Sequence, residues 1–319
     1  MAVYSRRYNP WHMATLIEKL KTLADGFDGR VGIGMQSAAG LVTVRGGERF
    51  SLQSVMKLMV AAAVMDAVDR RGWRLDTPIL VRREDLSLYV QPIADRVTKN
   101  GYRTTLGDLV FRAVVDSDSA ATDIAFARVG GAAAIRAFLA RCGANGIRVD
   151  RDERHLQTEI VGLTWRPEYV DAAVLEKAIQ AVPTAVRDHA FQAYRRDPRD
   201  TATPAGMASF LYNLASGKLL SPGSTRHLLS VMRRTATGPD RLKAGVPKGW
   251  TLAHKTGTSG TYKGVTMATN DVGVLTTPDG RNIAVAVFVA ESHRSPKERA
   301  ALIADVARIA ATHYKTATR

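Results

Sequence analysis

The stretch FSLQSVMKLMVAAAVMD, Phe50 to Asp66, sets a serine and a lysine three residues apart at the head of a long apolar run. Three residues is close to one helical turn, so Ser54 and Lys57 share a face. On an apolar helix a lysine either carries its ammonium out to solvent along its methylene stem or is held dry beside the serine as a proton acceptor. A lone Ser-x-x-Lys arises about once by chance in a chain of this size, so the pair alone decides nothing. It does mark a seam. Ahead of Phe50 the pattern ends in strands, and beyond Ser54 it is helical.

Before the seam, MATLIEKLKTLADGF (13–27) repeats apolar residues at helical spacing and stops before DGR. RVGIGMQ and LVTVRGG then read as two short strands joined by a Ser/Ala/Gly turn. From Ser54 to about Ala144 the signals are helical, clearest in TLGDLVFRAVVDSDSAATDIAFARVG and GAAAIRAFLARCG. Between Pro167 and Tyr194, EYVDAAVLEKAIQAV adds another helical stretch, and TPAGMASFLYNLASGKLL opens on Thr203-Pro204, the cap-then-proline pair favoured at helix starts. Strands return at TLAHKTGT, DVGVLTTPDG and NIAVAVFVAES, the last two meeting at a Pro-Asp-Gly turn, and SPKERAALIADVARIAATHY closes the chain as a helix. The expected fold is α/β of the α+β kind. Residues 1–50 and 218–319 build one sheet from both chain ends, and 51–217 form an inserted all-helical lobe.

The chain is 45% hydrophobic and 24% charged, ordinary values for a globular protein able to bury a sizeable core. Its net charge of +15 favours anionic surroundings. The basic residues are dispersed, however, and acids interrupt them as in DRRGWRLDTPILVRRED. No nucleic-acid motif or aromatic interleaving accompanies them, so a solvated surface is the reading and no nucleic-acid partner is expected. The single cysteine, Cys142, excludes an internal disulfide or a cysteine-based metal cluster and reads as inert filling. The seven histidines, His12, His155, His189, His227, His254, His293 and His313, are scattered and form no zinc-protease pair, so neither metal nor other cofactor is expected. No apolar run reaches membrane-spanning length, and the start, MAVYSRRYNPWHMATLIEKL, lacks the apolar core and cleavage site of a signal peptide.

Three short stretches change the reading of Ser54 and Lys57. They are Ser54-Val55-Met56-Lys57, Ser117-Asp118-Ser119 in a helical context, and Lys255-Thr256-Gly257 on an expected strand. In that order they resemble the Ser-x-x-Lys, Ser-Asp-Asn and Lys-Thr-Gly set of the serine beta-lactamases and penicillin-binding proteins. RDTATPAGMASFLYNLASGKLLSP and TGPDRLKAGVPKGWTLAHKTGTSG further resemble the class A beta-lactamases, and the likeness runs from Arg30 to the C-terminus. The resemblance implies an antiparallel sheet flanked by helices, a monomer, a small beta-lactam or peptidoglycan-like peptide as substrate, and a periplasmic or secreted location.

It also implies roles. Ser54 is the nucleophile, a weak one that needs a positioned base, and Lys57 is the candidate base. Ser117 bridges Lys57 and Lys255 and relays a proton to the departing lactam nitrogen. The backbone N–H groups of Ser54 and Thr258 face the developing oxyanion. Lys255, Thr256, Gly257, Thr258 and Ser259 form the strand that holds the substrate carboxylate, and Arg241 in RLKAG is either a further partner for that carboxylate or a surface charge. Tyr89 in LSLYVQPI resembles the aromatic at the rim of the cleft. Ser119 stands where the family has asparagine, so substrate affinity and choice shift with it.

Class A enzymes activate the deacylating water with a glutamate in a loop of pattern Arg-x-Glu-Pro-x-Leu-Asn. Here Arg151-Asp152-Glu153-Arg154-His155-Leu156-Gln157 fits, at the family's spacing from Ser117. It departs at Arg154, for proline, and at Gln157, whose amide sits one methylene further out. A second registration on TWRPEYV keeps Pro167 but puts Arg166, which is no base, at the glutamate position, so Glu153 is preferred. Arg151 and Asp200 match the ion pair that closes this omega-type loop, yet the stretch between them, 151–200, is greatly enlarged. The insertion is long enough for a helix that caps or widens the cleft, or that packs as a satellite away from it. A D-alanyl-D-alanine peptidase, or another amide or ester hydrolase with slow deacylation, is the nearest rival reading. A sensor that is acylated once without turnover is a further one.

Overall fold

The computed structural model describes residues 10–316; residues 1–9, part of the stretch read for a leader, lie outside them. Five strands form one antiparallel sheet in the order Gly40–Val44, Arg30–Ser37, Asn282–Ala290, Thr269–Thr276, Thr251–Thr258. The two strands from the start of the chain thus pair with three from its end, with Val31 opposite Val289 and Ile33 opposite Val287. The turn at Pro278-Asp279-Gly280 joins two of them.

Both faces of the sheet are covered, which is why the central strand reads as a continuous apolar run rather than an alternation. On one face Val31, Ile33, Val285, Val287 and Val289 share a core with Leu16 and Leu20 of the first helix, Pro10–Asp25, and with Leu302, Ile303 and Val306 of the last, Pro296–Thr316. On the other, Val272, Ala284, Ala286 and Phe288 join a core that continues through the helix Pro204–Ala215 into the helical lobe. That helix starts so close to the sheet that a Cβ on Gly34 would stand 2.1 Å from the Pro204 carbonyl oxygen. It rests against the sheet strands, so the helical stretch 51–217 does not pack as one block.

The helix Met56–Arg71 runs through the middle of the other helices and is buried on nearly all sides from Met56 to Met65. An all-round apolar sequence is what such a position requires. It stops at Gly72, whose φ of +66° provides the left-handed cap. Around it stand Leu106–Val115, Ser119–Val129, Gly131–Arg141 and Pro222–Arg233.

Two elements differ from the sequence expectation. Within the stretch read as helical, Pro78–Val81 pairs antiparallel with Tyr102–Thr105; three apolar residues behind a proline are too few for a helix. The helical stretch between Pro167 and Tyr194 becomes a 3₁₀ turn at Pro167–Val170 and two helices, Ala172–Ala181 and Thr184–Arg196. The break falls at Val182-Pro183, because proline has no N–H to continue the first helix. Among the described residues, no helix is long and apolar enough to cross a membrane, and no cluster of three metal-ligating side chains occurs.

Candidate active site

Ser54 lies in a short 3₁₀ turn, Gln53–Val55, that leads into the buried central helix. Gln53 holds a left-handed backbone, φ +47°, which turns the chain from the sheet into the helix. Asn270, on a central strand, fixes the approach by donating its amide to the carbonyls of Ser51 (2.8 Å) and Leu52 (3.1 Å). Gly257 lets the Lys-Thr-Gly strand come against the same segment, since a Cβ there would sit 2.4 Å from the Leu52 carbonyl oxygen. The seam between sheet and helix is thereby locked at the serine.

Lys57 and Lys255 are both fully buried. Lys57 Nζ donates to the Ser117 carbonyl at 2.5 Å and to Ser119 Oγ at 3.1 Å, and lies 3.6 Å from Glu153 Oε1. Lys255 Nζ donates to Ser117 Oγ at 2.9 Å and to the Thr256 carbonyl at 3.0 Å. Burial, and then the nearby Lys57 charge, hold the Lys255 ammonium well below the ordinary lysine range. Ser117 meets both lysines because its backbone is left-handed, φ +59°, at the end of the helix Leu106–Val115. Next to it, Asp118 caps the following helix through Ala121 N (2.8 Å) and ties in Ile93 N (2.7 Å), with its carboxyl raised by burial.

Glu153 opens the helix Glu153–Glu159 and is buried. Its Oε2 accepts from Gln157 Nε2 at 3.2 Å, and Gln157 also donates to Gln53 Oε1 at 2.9 Å. Glu153 Oε1 makes no hydrogen bond to the protein. The start of this helix is carried by a residue that sequence reading passed over. Asp123, on the helix Ser119–Val129, accepts from Glu153 N at 2.8 Å, Arg154 N at 3.3 Å and Ser87 Oγ at 2.7 Å. Burial, with the neighbouring Asp152 and Glu153 carboxylates adding, pushes its carboxyl up to about 8. Arg154, in place of proline, reaches back to the Glu84 and Leu86 carbonyls at 3.1 and 2.7 Å and lies 5.3 Å above the Trp165 ring. A side-chain strut thus holds the loop at this departure from the family pattern.

Arg151 Nε and Asp200 Oδ2 meet at 2.6 Å, both buried, and Asp200 also accepts from Asp150 N and Arg151 N. Between them the helix Thr184–Arg196 runs to the cleft rather than away from it. Tyr194 is buried, its hydroxyl 2.5 Å from Gln53 Nε2 and 2.7 Å from Ser51 Oγ. Leu175 and Tyr169 form a small core with Leu88 of the helical lobe. The resulting cavity, about 320 Å³, holds Ser54, Lys57, Ser119, Glu153, Gln157, Tyr89, Thr258 and Ser259 on its wall. Tyr89 is 55% exposed at its rim, again with a left-handed backbone.

Three of the expected binding groups are tied up in the protein itself. Ser259 Oγ accepts from Met267 N and Ala268 N at 3.1 and 3.0 Å, so its hydroxyl serves the local turn. Thr256 Oγ1 pairs with Thr237 Oγ1 at 2.6 Å. Arg241 is half-buried and spans the Asn270 carbonyl (2.9 Å) and Thr258 Oγ1 (2.7 Å), beside a residue of the cavity wall. Asp123, Asn270, Gln53 and Tyr194 are the members sequence reading missed. The only trace of Asp123 was a lone acid among the small and apolar residues of SAATDIAF. His254, read as packing beside the strand, bonds Asp271 at 2.8 Å within the sheet.

Comparison with known proteins matches this arrangement. A family model described as the beta-lactamase enzyme family covers residues 15–314. The chain is 30% identical to beta-lactamase VEB-1 of Pseudomonas aeruginosa, over 83% of this chain and 78% of that protein. It is also 30% identical to the extended-spectrum beta-lactamase PER-1 of the same organism, over 92% and 86%. Among solved structures, a beta-lactamase from Chitinophaga pinensis superposes with a TM-score of 0.77 at 28% identity, covering 96% of this chain and all of that one. A reconstructed ancestral class A beta-lactamase of Gram-negative bacteria reaches 0.75 at 32%, covering 93% and 99%. The chain belongs to the beta-lactamase enzyme family, in its class A branch.

Proposed function

We propose that the protein is a serine hydrolase that opens the beta-lactam amide through an acyl-enzyme on Ser54 and releases it by hydrolysis. The observation that supports this reading is the buried cluster beside Ser54 in which Lys255 donates to the Ser117 hydroxyl, Lys57 donates to the Ser117 carbonyl, and Lys57 lies 3.6 Å from Glu153. In the first step Lys57, once its proton has passed to Glu153 3.6 Å away, takes the proton of Ser54 as Ser54 Oγ bonds the lactam carbonyl carbon. The N–H groups of Ser54 and Thr258 receive the oxyanion. As the C–N bond breaks, Ser117 gives its hydroxyl proton to the lactam nitrogen and regains one from Lys57. A substrate carboxylate beside Lys255 restores the ammonium that burial disfavours. In the second step Glu153, its earlier proton returned to Lys57, removes a proton from water, whose oxygen attacks the ester carbon, and passes that proton on to Ser54 Oγ as the ester C–O bond breaks.

The test follows a chromogenic cephalosporin while intact-protein mass is read in the same sample. Continuing colour release with little adduct is expected. One equivalent of colour with a lasting adduct replaces hydrolysis by a penicillin-binding role. Neither colour nor adduct overturns the reading.

A further inference from the structure

The inserted segment 158–198 takes no part in the chemistry proposed above, yet its second helix forms a wall of the cavity. Thr184–Arg196 places Arg187, Phe191 and Tyr194 there, facing Tyr262 of the hairpin that follows the Lys-Thr-Gly strand. The two sides are fastened together. Asp188 accepts from Lys263 Nζ at 2.8 Å and from Tyr262 Oη at 3.1 Å, and the Phe191 and Tyr262 rings lie 5.4 Å apart. The Arg187 guanidinium stands 4.8 Å over the same Tyr262 ring.

Arg187 is the one cation this helix adds to the wall, and among the described residues it has no ion-pair partner. Its one hydrogen bond, to the Ile179 carbonyl, is long at 3.4 Å, which leaves most of a five-donor guanidinium unused. The carboxylates of the segment's two helices are engaged elsewhere, Asp188 with Lys263 and Tyr262, and Glu176 with Gln180 Nε2 at 2.8 Å. An aromatic wall with a single unpaired guanidinium complements a flat apolar group that carries a carboxylate.

We infer that the helix Thr184–Arg196 builds the pocket for the substrate's acyl substituent, with Phe191 and Tyr262 against an aromatic ring and Arg187 on an anionic group attached to it. The inference rests on Ser54 being acylated by beta-lactams, and its test separates the two.

The rate constant for acylation is measured by rapid quenching and mass spectrometry with three penicillins. These are 6-aminopenicillanic acid, which has no acyl substituent; benzylpenicillin, with a neutral ring; and carbenicillin, the same ring bearing a carboxylate. In the wild-type protein the rates are expected to rise in that order, with carbenicillin about tenfold above benzylpenicillin, the effect of one charge-assisted contact. Arg187→Gln is expected to bring the carbenicillin to benzylpenicillin ratio to about one, and Arg187→Lys to retain part of it. Phe191→Ala is expected to lower the benzylpenicillin to 6-aminopenicillanic acid ratio about tenfold. Each ratio is taken on one preparation, so loss of folded protein cancels. A carbenicillin preference that is absent, or that survives Arg187→Gln, overturns the pocket while leaving Ser54 as nucleophile. Failure of all three compounds to acylate the protein removes the reading beneath it.

Discussion

Lys255 Nζ lies 2.9 Å from Ser117 Oγ, with the lysine fully buried and the serine nearly so. The serine's own carbonyl is taken by Lys57, so two lysines from two different elements converge on one residue. Ser117→Ala removes the hydroxyl without touching the carbonyl contact. It is expected to slow acylation by a beta-lactam about 10²–10³-fold, the range of a lost proton relay, while the melting temperature stays close to that of the wild type. Rapid-quench mass spectrometry of the adduct reads the rate.

Ser54→Ala is expected to abolish covalent labelling altogether. Glu153→Gln keeps the shape of the side chain but not its basicity, so acylation continues and release stalls. An adduct that persists while steady-state turnover falls about 10²–10⁴-fold is the expected signature. Unchanged turnover would move the base away from Glu153.

Asp123 supports Glu153 from below through two backbone N–H groups. Asp123→Ala frees the start of that helix and is expected to slow deacylation about 10²-fold, as small displacements of a catalytic group do. The same residue yields a pH signature. Its carboxyl is near 3.8 in the unfolded chain and about 8 in the folded one. The folded state therefore holds a proton the unfolded state has lost, and the associated stability is complete below about pH 4 and lost as pH rises through about 8. The melting-temperature advantage of wild type over Asp123→Asn is expected to shrink by about 3–5 °C between pH 5 and pH 8.5. Calorimetry at the two pH values measures it.

Tyr194 is the point where the insertion touches the segment bearing Ser54. Tyr194→Phe removes a buried hydroxyl that serves both Ser51 and Gln53. Leaving those groups without it is expected to cost about 1–3 kcal/mol, visible as a lower urea midpoint with the denaturant slope unchanged.

Gly257→Ala puts a methyl 2.4 Å from the Leu52 carbonyl oxygen, a backbone atom, with Val55 N and Cγ2 each at 3.2 Å. Either the strand or the serine turn must move. A stability loss of about 1–3 kcal/mol is expected, together with a loss of acylation larger than any stability change explains.

The sheet was legible because its strands are long, β-branched and bounded by turns, and because helices occupy the sequence between them. Ser54, Lys57, Ser117 and Lys255 were legible as motifs with a fixed order, and in the structure they lie together. What escaped is of two kinds. Asp123 and Asn270 are ordinary polar residues whose importance comes from a backbone group brought near by the fold, and nothing local in the sequence marks that. The insertion's destination was equally hidden. Its amphipathic helices show an apolar face but not the neighbour that face meets, and the contacts that bring it to the cleft join residues far apart in the chain, Tyr194 with Ser51 and Asp188 with Lys263. The local bonds of Ser259 were hidden for a related reason: nothing in the sequence shows that its hydroxyl accepts from Met267 N and Ala268 N across the following hairpin.

The buried clasp between Arg151 and Asp200 has a consequence for the family's history. A segment whose two ends are held side by side can lengthen, shorten or be exchanged while the scaffold beyond the clasp feels no displacement, and closing a longer loop costs little extra entropy. Of the 48 residues between the clasped pair, Glu153 and Gln157 belong to the site and Tyr194 braces it; the stretch from Thr158 to Ala193 is therefore a cassette. The machinery around Ser54 can stay constant while that stretch changes in length or sequence, so the wall of the cleft can vary independently of the chemistry.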